Sequence, residues 1–136
     1  MTLTPKKRIL VADDHLGMIE EVESLLKQDY DVVGNASNGL ELLEAAQRLE
    51  PDVIISDISM PVMNGFEAAA KLRAAGVSAK LIFLTVQTST PYLKKAQALG
   101  AQGYVLKAYT AEHLLTAVAS VLSGKTFICP QLPQQH

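Results

Sequence analysis

Short, continuously apolar runs alternate along the chain with longer segments whose apolar residues recur at helical spacing. An apolar run bounded by polar residues is typical of a strand buried on both faces of a sheet. Apolar residues three and four positions apart are typical of an amphipathic helix. The pattern predicts five strands, at residues 9–12, 30–36, 53–55, 81–84 and 104–106.

The segments between these strands, and the segment after the last one, have helical spacing. The predicted helices lie at residues 16–26, 39–49, 66–75, 92–99 and 114–122, and Pro51, Gly76, Gly100 and Gly124 follow the last four of them as stop signals. Strands that alternate with helices predict a parallel sheet with helices on both faces. We therefore predict the α/β class and a doubly wound five-stranded parallel sheet, a (βα)5 arrangement.

The composition is that of one globular domain, with 136 residues, 49% of them hydrophobic and 19% charged. We expect an N-terminal extension at residues 1–6 and a folded domain at residues 7–124. We expect residues 125–136 to form an irregular C-terminal tail or the start of a linker, because Pro130, Pro133 and a polar end follow Gly124.

Charge and cysteine content exclude several functions. The net charge is −2, and the short basic run at residues 6–8 is no nucleic-acid-binding face. Cys129 is the single cysteine, so no internal disulfide can form, and we expect it to be inert in the irregular tail.

The sequence contains neither a recognisable signal peptide nor an apolar stretch long enough for a membrane span, so we expect a cytoplasmic protein with no membrane partner.

Polar residues collect where the predicted strands end. Asp13 and Asp14 follow the first strand, Asp57 follows the third, Thr85 the fourth and Lys107 the fifth. Ligands bind outside the carboxyl ends of the strands in an open parallel sheet. The sequence therefore predicts a polar site at this edge.

The charges of this site indicate its chemistry. Two carboxylates about 5 Å apart repel each other by about 3 kcal/mol at an effective dielectric near 20, so three acids need cations among them. Lys107 supplies one positive charge, and a hard divalent cation such as Mg²⁺ would supply the rest. A carboxylate nucleophile, an ammonium, a hydroxyl and Mg²⁺ together suit phosphoryl transfer.

These motifs carry a resemblance to a known family. The pair Asp13-Asp14, Asp57 with Met60-Pro61 and Gly65 behind it, then Thr85, Tyr104 and Lys107 resemble the receiver domain of bacterial two-component response regulators. The resemblance covers roughly residues 7–124 and is greatest to the NarL/LuxR type, which implies a CheY-like fold. In that type a DNA-binding domain follows the receiver, and none is present here.

The resemblance implies a role for each matching residue. Asp57 would accept the phosphoryl group, and Thr85 and Lys107 would bind its oxygens. Mg²⁺ would be held by Asp14, Asp57 and the backbone carbonyl of Ser59, with Asp13 acting through water. Tyr104 would form a conformational switch with Thr85 and turn inward on activation.

The resemblance also implies partners. A sensor histidine kinase would supply the phosphoryl group, a homodimer could form on phosphorylation, and DNA would be bound only through a further C-terminal domain. The output would be a change in dimerisation, partner binding or transcription. We expect no catalysis beyond self-phosphorylation and self-dephosphorylation.

Some positions depart from the family pattern or leave alternatives. Ala108 replaces the usual proline after Lys107, which puts the usual cis peptide in doubt. An Asp-nucleophile phosphatase would need an acid where Ser59 stands, and a flavin binder would be repelled by Asp13-Asp14. A degenerate receiver that acts only as an interaction module is the remaining alternative. His15 is interpreted as a solvated neighbour of the acids.

Overall fold

The computed structural model describes residues 5–133, which form one parallel sheet covered by helices. The sheet has six strands in the order β2-β1-β3-β4-β5-β6, and each neighbouring pair is parallel. The strands are β1 Arg8–Ala12, β2 Asp31–Ala36, β3 Val53–Ser56, β4 Lys80–Thr85, β5 Gly103–Leu106 and β6 Phe127–Ile128.

Five helices connect or follow the strands, as the apolar spacing predicted. They are α1 Leu16–Leu26, α2 Gly39–Leu49, α3 Gly65–Ala74, α4 Thr90–Ala98 and α5 Thr110–Leu122. A single 3-10 turn, Lys107–Tyr109, separates β5 from α5. The α/β class and the doubly wound parallel sheet are thereby confirmed.

Two helices begin with asparagine caps next to the carboxyl edge of the sheet. The Asn38 side chain accepts a hydrogen bond from the Glu41 amide at the start of α2. At α3, Asn64 and Glu67 form a reciprocal capping box. Because these caps satisfy amides that the first turn leaves unpaired, they fix where each helix starts.

The core consists of two apolar layers, one on each face of the sheet. Leu10, Ile54 and Phe83 point into the layer under α2, α3 and α4. Ile9, Ile55 and others alternate with them and pack against α1 and α5. This alternation along strands that are buried throughout explains their continuously apolar sequence.

The C-terminal end differs from the prediction. The prediction of an irregular tail from residue 125 is wrong for the start of that segment, because β6 pairs with β5 and adds a sixth strand to the predicted five. Cys129 is buried rather than loose, as is Leu132. A strand of two residues beside Pro130 is too short to produce a periodic signal, and it is held by the β5 edge instead. Residues 1–4 of the expected extension and residues 134–136 of the expected tail lie outside the described residues.

Two further findings bear on the sequence expectations. The Lys107–Ala108 peptide is trans, as is every described peptide bond. In residues 5–133 no helix has both the length and the apolar character that a membrane span requires.

Candidate functional site

Asp13 and Asp57 are held side by side by the backbone at the ends of neighbouring strands. Ala12 and Ser56, the last residues of β1 and β3, are paired in the sheet. The Asp57 amide donates to the Ala12 carbonyl at 2.9 Å, and the Asp13 amide donates to the Ala36 carbonyl at 2.9 Å. Both acids are buried. The two carboxylates are therefore placed together by the main chain, not by a flexible loop.

Lys107 joins these two acids. Its Nζ lies 2.8 Å from Asp13 Oδ2 and 2.9 Å from Asp57 Oδ2, and its side chain is 15% exposed. The turn that carries Lys107 is fixed by the Thr110 hydroxyl, which donates to the Lys107 carbonyl at 2.7 Å. One ammonium thus bridges two buried carboxylates that belong to different strands.

The pKa values reflect this burial and pairing. Burial raises the pKa of Asp57, the hydrogen bond and charge of Lys107 offset only part of that rise, and the charge of Asp13 adds to it. Burial by itself lowers the pKa of Lys107, but its bonds to Asp13 and Asp57 outweigh that effect and raise it. Because two carboxylates share a single ammonium, the site carries an excess of formal negative charge.

Asp14 and His15 extend the cluster towards solvent. His15 Nδ1 lies 3.1 Å from Asp14 Oδ1 and 3.2 Å from Asp13 Oδ1, although the His15 side chain is 71% exposed. One ligand atom each from Asp13, Asp14, His15 and Asp57 lies within 4.8 Å of the others. The structure agrees with the interpretation of His15 as a solvated neighbour of the acids, and it shows in addition that the His15 ring contacts both of them.

A divalent cation fits this donor set. Carboxylate oxygens are the ligands that Mg²⁺ prefers, and the excess negative charge favours a cation. Ser59 is exposed in the loop that follows Asp57, on the same edge of the sheet. The acidic cluster of Asp13, Asp14 and Asp57 is therefore compatible with a divalent cation.

The backbone around Asp57 contributes a contact that the sequence did not reveal. The Ile58 amide donates to Asp57 Oδ1 at 2.7 Å. The Gly65 amide donates to the Ile58 carbonyl at 2.7 Å, and a Cβ on Gly65 would lie 2.1 Å from the Asp57 carbonyl oxygen. A main-chain donor leaves no signature in the sequence, so Gly65 was the residue by which the sequence could indicate this contact.

Thr85 and Tyr104 contact the same loop residue. The Gln87 amide donates to Thr85 Oγ1 at 3.2 Å, and the Tyr104 hydroxyl donates to the Gln87 carbonyl at 2.9 Å. Tyr104 is 2% exposed, and burial, with smaller effects from Tyr92 and Asp57, raises its pKa to about 12. In the sheet Tyr104 pairs with Phe83, two residues before Thr85. The ring thus already lies inward.

An open parallel sheet with two buried acids and a lysine at its carboxyl edge defines the class as an α/β domain with a charged edge site, and the comparisons with known proteins identify the family. The model of the response regulator receiver domain matches residues 9–119. The Bacillus subtilis transcriptional regulatory protein YvfU, itself uncharacterised, is 38% identical over 127 residues, covering 92% of this chain and 64% of that protein. The Escherichia coli nitrate/nitrite response regulator NarL is 36% identical over 126 residues, covering 91% of this chain and 58% of NarL.

Solved structures agree with these relatives. The receiver domain of a NarL response regulator from Mycobacterium tuberculosis has a TM-score of 0.85 at 30% identity, covering 90% of this chain and 100% of that one. The chain belongs to the response regulator receiver family and is a two-component receiver domain of the NarL/LuxR type. It spans about three-fifths of the length of the curated relatives it matches.

Proposed function

We propose that Asp57 accepts a phosphoryl group from a sensor histidine kinase and that the aspartyl phosphate switches this receiver. A carboxylate oxygen of Asp57 would bond to phosphorus while the bond between phosphorus and the donor breaks, and the donor leaves with that electron pair. Burial raises the pKa of Asp57, and the hydrogen bond and charge of Lys107 oppose that rise and so favour the carboxylate form. We expect no turnover of an external substrate.

The observation that carries the proposal is the position of Lys107. Its ammonium touches Asp57 and Asp13 and is largely shielded from solvent. A cation at that point can neutralise an oxygen of a phosphoryl group on Asp57, as the transition state of phosphoryl transfer requires. The buried Thr85 hydroxyl at the end of β4 is proposed to bind another of these oxygens.

Mg²⁺ is the proposed cofactor, held by Asp14, Asp57 and the Ser59 carbonyl, with Asp13 acting through water. When bound, the ion would neutralise negative charge on the carboxylates and the incoming phosphoryl group. The buried acids alone exceed the compensation that Lys107 gives, which supports a requirement for a second cation.

The proposed output begins at Thr85. Phosphorylation would draw the Thr85 hydroxyl towards the phosphoryl group and away from the Gln87 amide it now accepts from. Gln87 also holds Tyr104, so the change would reach β5 and the flanking helices α4 and α5. A homodimer, or a transcriptional output through a DNA-binding domain such as those of LuxR-type regulators, would respond to that shift.

An Asp-nucleophile phosphatase is the competing function, and Ser59 argues against it. Such an enzyme places a general acid two positions after the nucleophile, where this chain has Ser59. A receiver that acts only as an interaction module is disfavoured because Asp13, Asp57 and Lys107 form a charged site that packing alone does not require.

The test is an intact-mass measurement after incubation with Mg²⁺ and a small acyl phosphate. The parent chain should gain the mass of one phosphoryl group, and Asp57→Asn should gain none. Asp31→Asn is the matched control, since it makes the same change at an exposed acid at the opposite end of a strand, and it should behave like the parent. A parent that gains no mass with Mg²⁺ present would overturn the proposal.

A further inference from the structure

The C-terminal strap, residues 126–133, closes the open edge of the sheet beside β5. Gly103 pairs with Phe127 and Tyr104 with Ile128 in parallel register. The Phe127 amide donates to the Gln102 carbonyl at 2.9 Å, and the Cys129 amide donates to the Tyr104 carbonyl at 2.9 Å. The edge that β5 would otherwise expose is therefore occupied by the chain itself.

Two apolar side chains anchor the strap on the α4 side. Cys129 and Leu132 are buried, and they belong to the same core layer as Tyr104, Leu93 and Leu106. On the α5 side, His113 Nε2 lies 3.0 Å from Gln131 Oε1. The strap consequently covers the surface between α4 and α5, which the proposed output would remodel.

The strap is bound to β5 weakly enough to open locally. β6 contains two residues, and a cavity of about 260 Å³ lies between the strap, α4 and β5, with Tyr104, Leu93 and Ile128 in its lining. Few ladder hydrogen bonds and incomplete packing are the features of segments that open locally while the rest of a domain stays folded.

Tyr104 connects this strap to the loop beside the acid site. Its backbone carbonyl holds the Cys129 amide, while its hydroxyl donates to the Gln87 carbonyl. The Gln87 amide donates to Thr85 Oγ1 at the end of β4. A continuous series of contacts thus runs from Thr85 through Gln87 and Tyr104 to Cys129.

We propose that docking of the strap and the inward position of Tyr104 stabilise each other, which makes the strap an autoregulatory cover of the α4–β5–α5 surface. The two states are strap docked with Tyr104 inward, and strap released with Tyr104 free to move. A ligand of the acid site that loosens the hold of Gln87 on Tyr104 also favours the released strap, by reciprocal linkage. This last step rests on the proposed function; the linkage between Tyr104 and the strap does not.

The first experiment uses the whole chain without any phosphoryl group. Tyr104→Phe removes the hydroxyl that donates to Gln87 but keeps the ring. Hydrogen exchange followed by NMR should then be at least about threefold faster at the Phe127 and Cys129 amides, while amides of β1 and β3 keep the parent's rates. Leu132→Ala, which removes an anchor of the strap, should raise exchange at the Gln87 amide by a similar factor.

Tyr30→Phe is the matched control, because it removes a tyrosine hydroxyl beside β2, at the edge of the sheet opposite the strap, and it should leave these amides unchanged. The proposal is overturned if Tyr104→Phe leaves exchange at Phe127 and Cys129 unaltered. It is also overturned if that variant speeds exchange uniformly across the sheet, since the strap would then merely follow global stability.

The second experiment adds Mg²⁺ with beryllium trifluoride, the phosphomimetic that a structural relative, the RcsB receiver domain, was solved with. Because the phosphomimetic should draw Thr85 away from the Gln87 amide and so loosen the hold on Tyr104, exchange at Phe127 and Cys129 should become at least about threefold faster in the parent and not in Asp57→Asn. Slower exchange in the parent overturns the proposed direction of coupling. Unchanged amide signals around Asp57 would count against the phosphoacceptor proposal alone, because the first experiment decides the linkage independently.

Discussion

The Lys107 ammonium lies 2.9 Å from the Asp57 carboxylate, although fifty positions separate the two residues in the chain. The same ammonium is 2.8 Å from Asp13. Removing one partner of a buried pair costs more than the pair contributes, because an uncompensated charge remains in the protein interior. Lys107 is therefore expected to be important for folding as well as for phosphoryl binding.

Lys107→Met should lower the free energy of unfolding at pH 7 by about 3 kcal/mol, since it leaves two buried carboxylates without their cation. Chemical denaturation measures the change. Saturating Mg²⁺ should recover part of the loss if the ion binds these acids. Lys94→Met, a change at an exposed position of α4, is the control and should stay within about 0.5 kcal/mol of the parent. Equal losses in both variants would contradict a bridging role.

A neutral substitution at Asp57 is expected to have the opposite effect and to raise the free energy of unfolding. Its folded pKa lies above the ordinary value of 3.8, chiefly because of burial. As pH rises past that ordinary value, the unfolded chain releases the proton while the folded chain retains it, so stability falls until the folded pKa is passed. The neutral isostere in Asp57→Asn avoids this loss.

We therefore expect Asp57→Asn to raise the free energy of unfolding at pH 7 relative to the parent. The gain should disappear below about pH 4, where Asp57 is protonated in both states. Denaturation curves across this pH range, in chelator, measure it. A variant that is less stable than the parent at pH 7 would show that the bond to Lys107 outweighs burial.

The sequence predicted those parts of the fold and the candidate site that side-chain pattern determines. Continuously apolar strands ending in Asp13, Asp57 and Lys107 indicated a buried parallel sheet with charge at one edge, and the structure brings these residues together. The pattern could not indicate the Ile58 amide on Asp57, since a main-chain donor has no residue type. It could not indicate β6 either, because two residues have no period and their position depends on the β5 edge.

Gly65 shows how a tertiary contact determines a residue. A Cβ there would lie 2.1 Å from the carbonyl oxygen of Asp57 and 3.1 Å from Ile58 Cα, both backbone atoms that cannot turn away. Gly65→Ala should thus destabilise the domain by about 3 kcal/mol and slow phosphorylation by displacing Asp57. Thermal or chemical denaturation and the intact-mass assay measure the two effects.

Gly17→Ala is the matched control for this change. Gly17 lies within α1, and a Cβ there would meet no atom within 4 Å. Alanine should therefore stabilise the helix by about 0.5–1 kcal/mol, because glycine loses more backbone entropy on folding. If both alanine variants were stabilised, the close approach of Gly65 to Asp57 would be disproved.

Val62 has a backbone conformation that its side chain disfavours, in the loop between Asp57 and α3. Its φ is 70°, its side chain is 78% exposed, and a β-branched residue in the left-handed region is strained by about 1–2 kcal/mol. Val62→Gly should raise the free energy of unfolding by about 0.5–1 kcal/mol, because relief of strain exceeds the added entropy of the unfolded chain.

Val86→Gly is the control for this change. Val86 is 66% exposed in the loop after β4 and is not among the described residues with positive φ, so glycine there should lower the free energy of unfolding by a similar amount. Denaturation of both variants measures the difference, and a loss of stability in Val62→Gly would mean that the loop stores no strain at this residue.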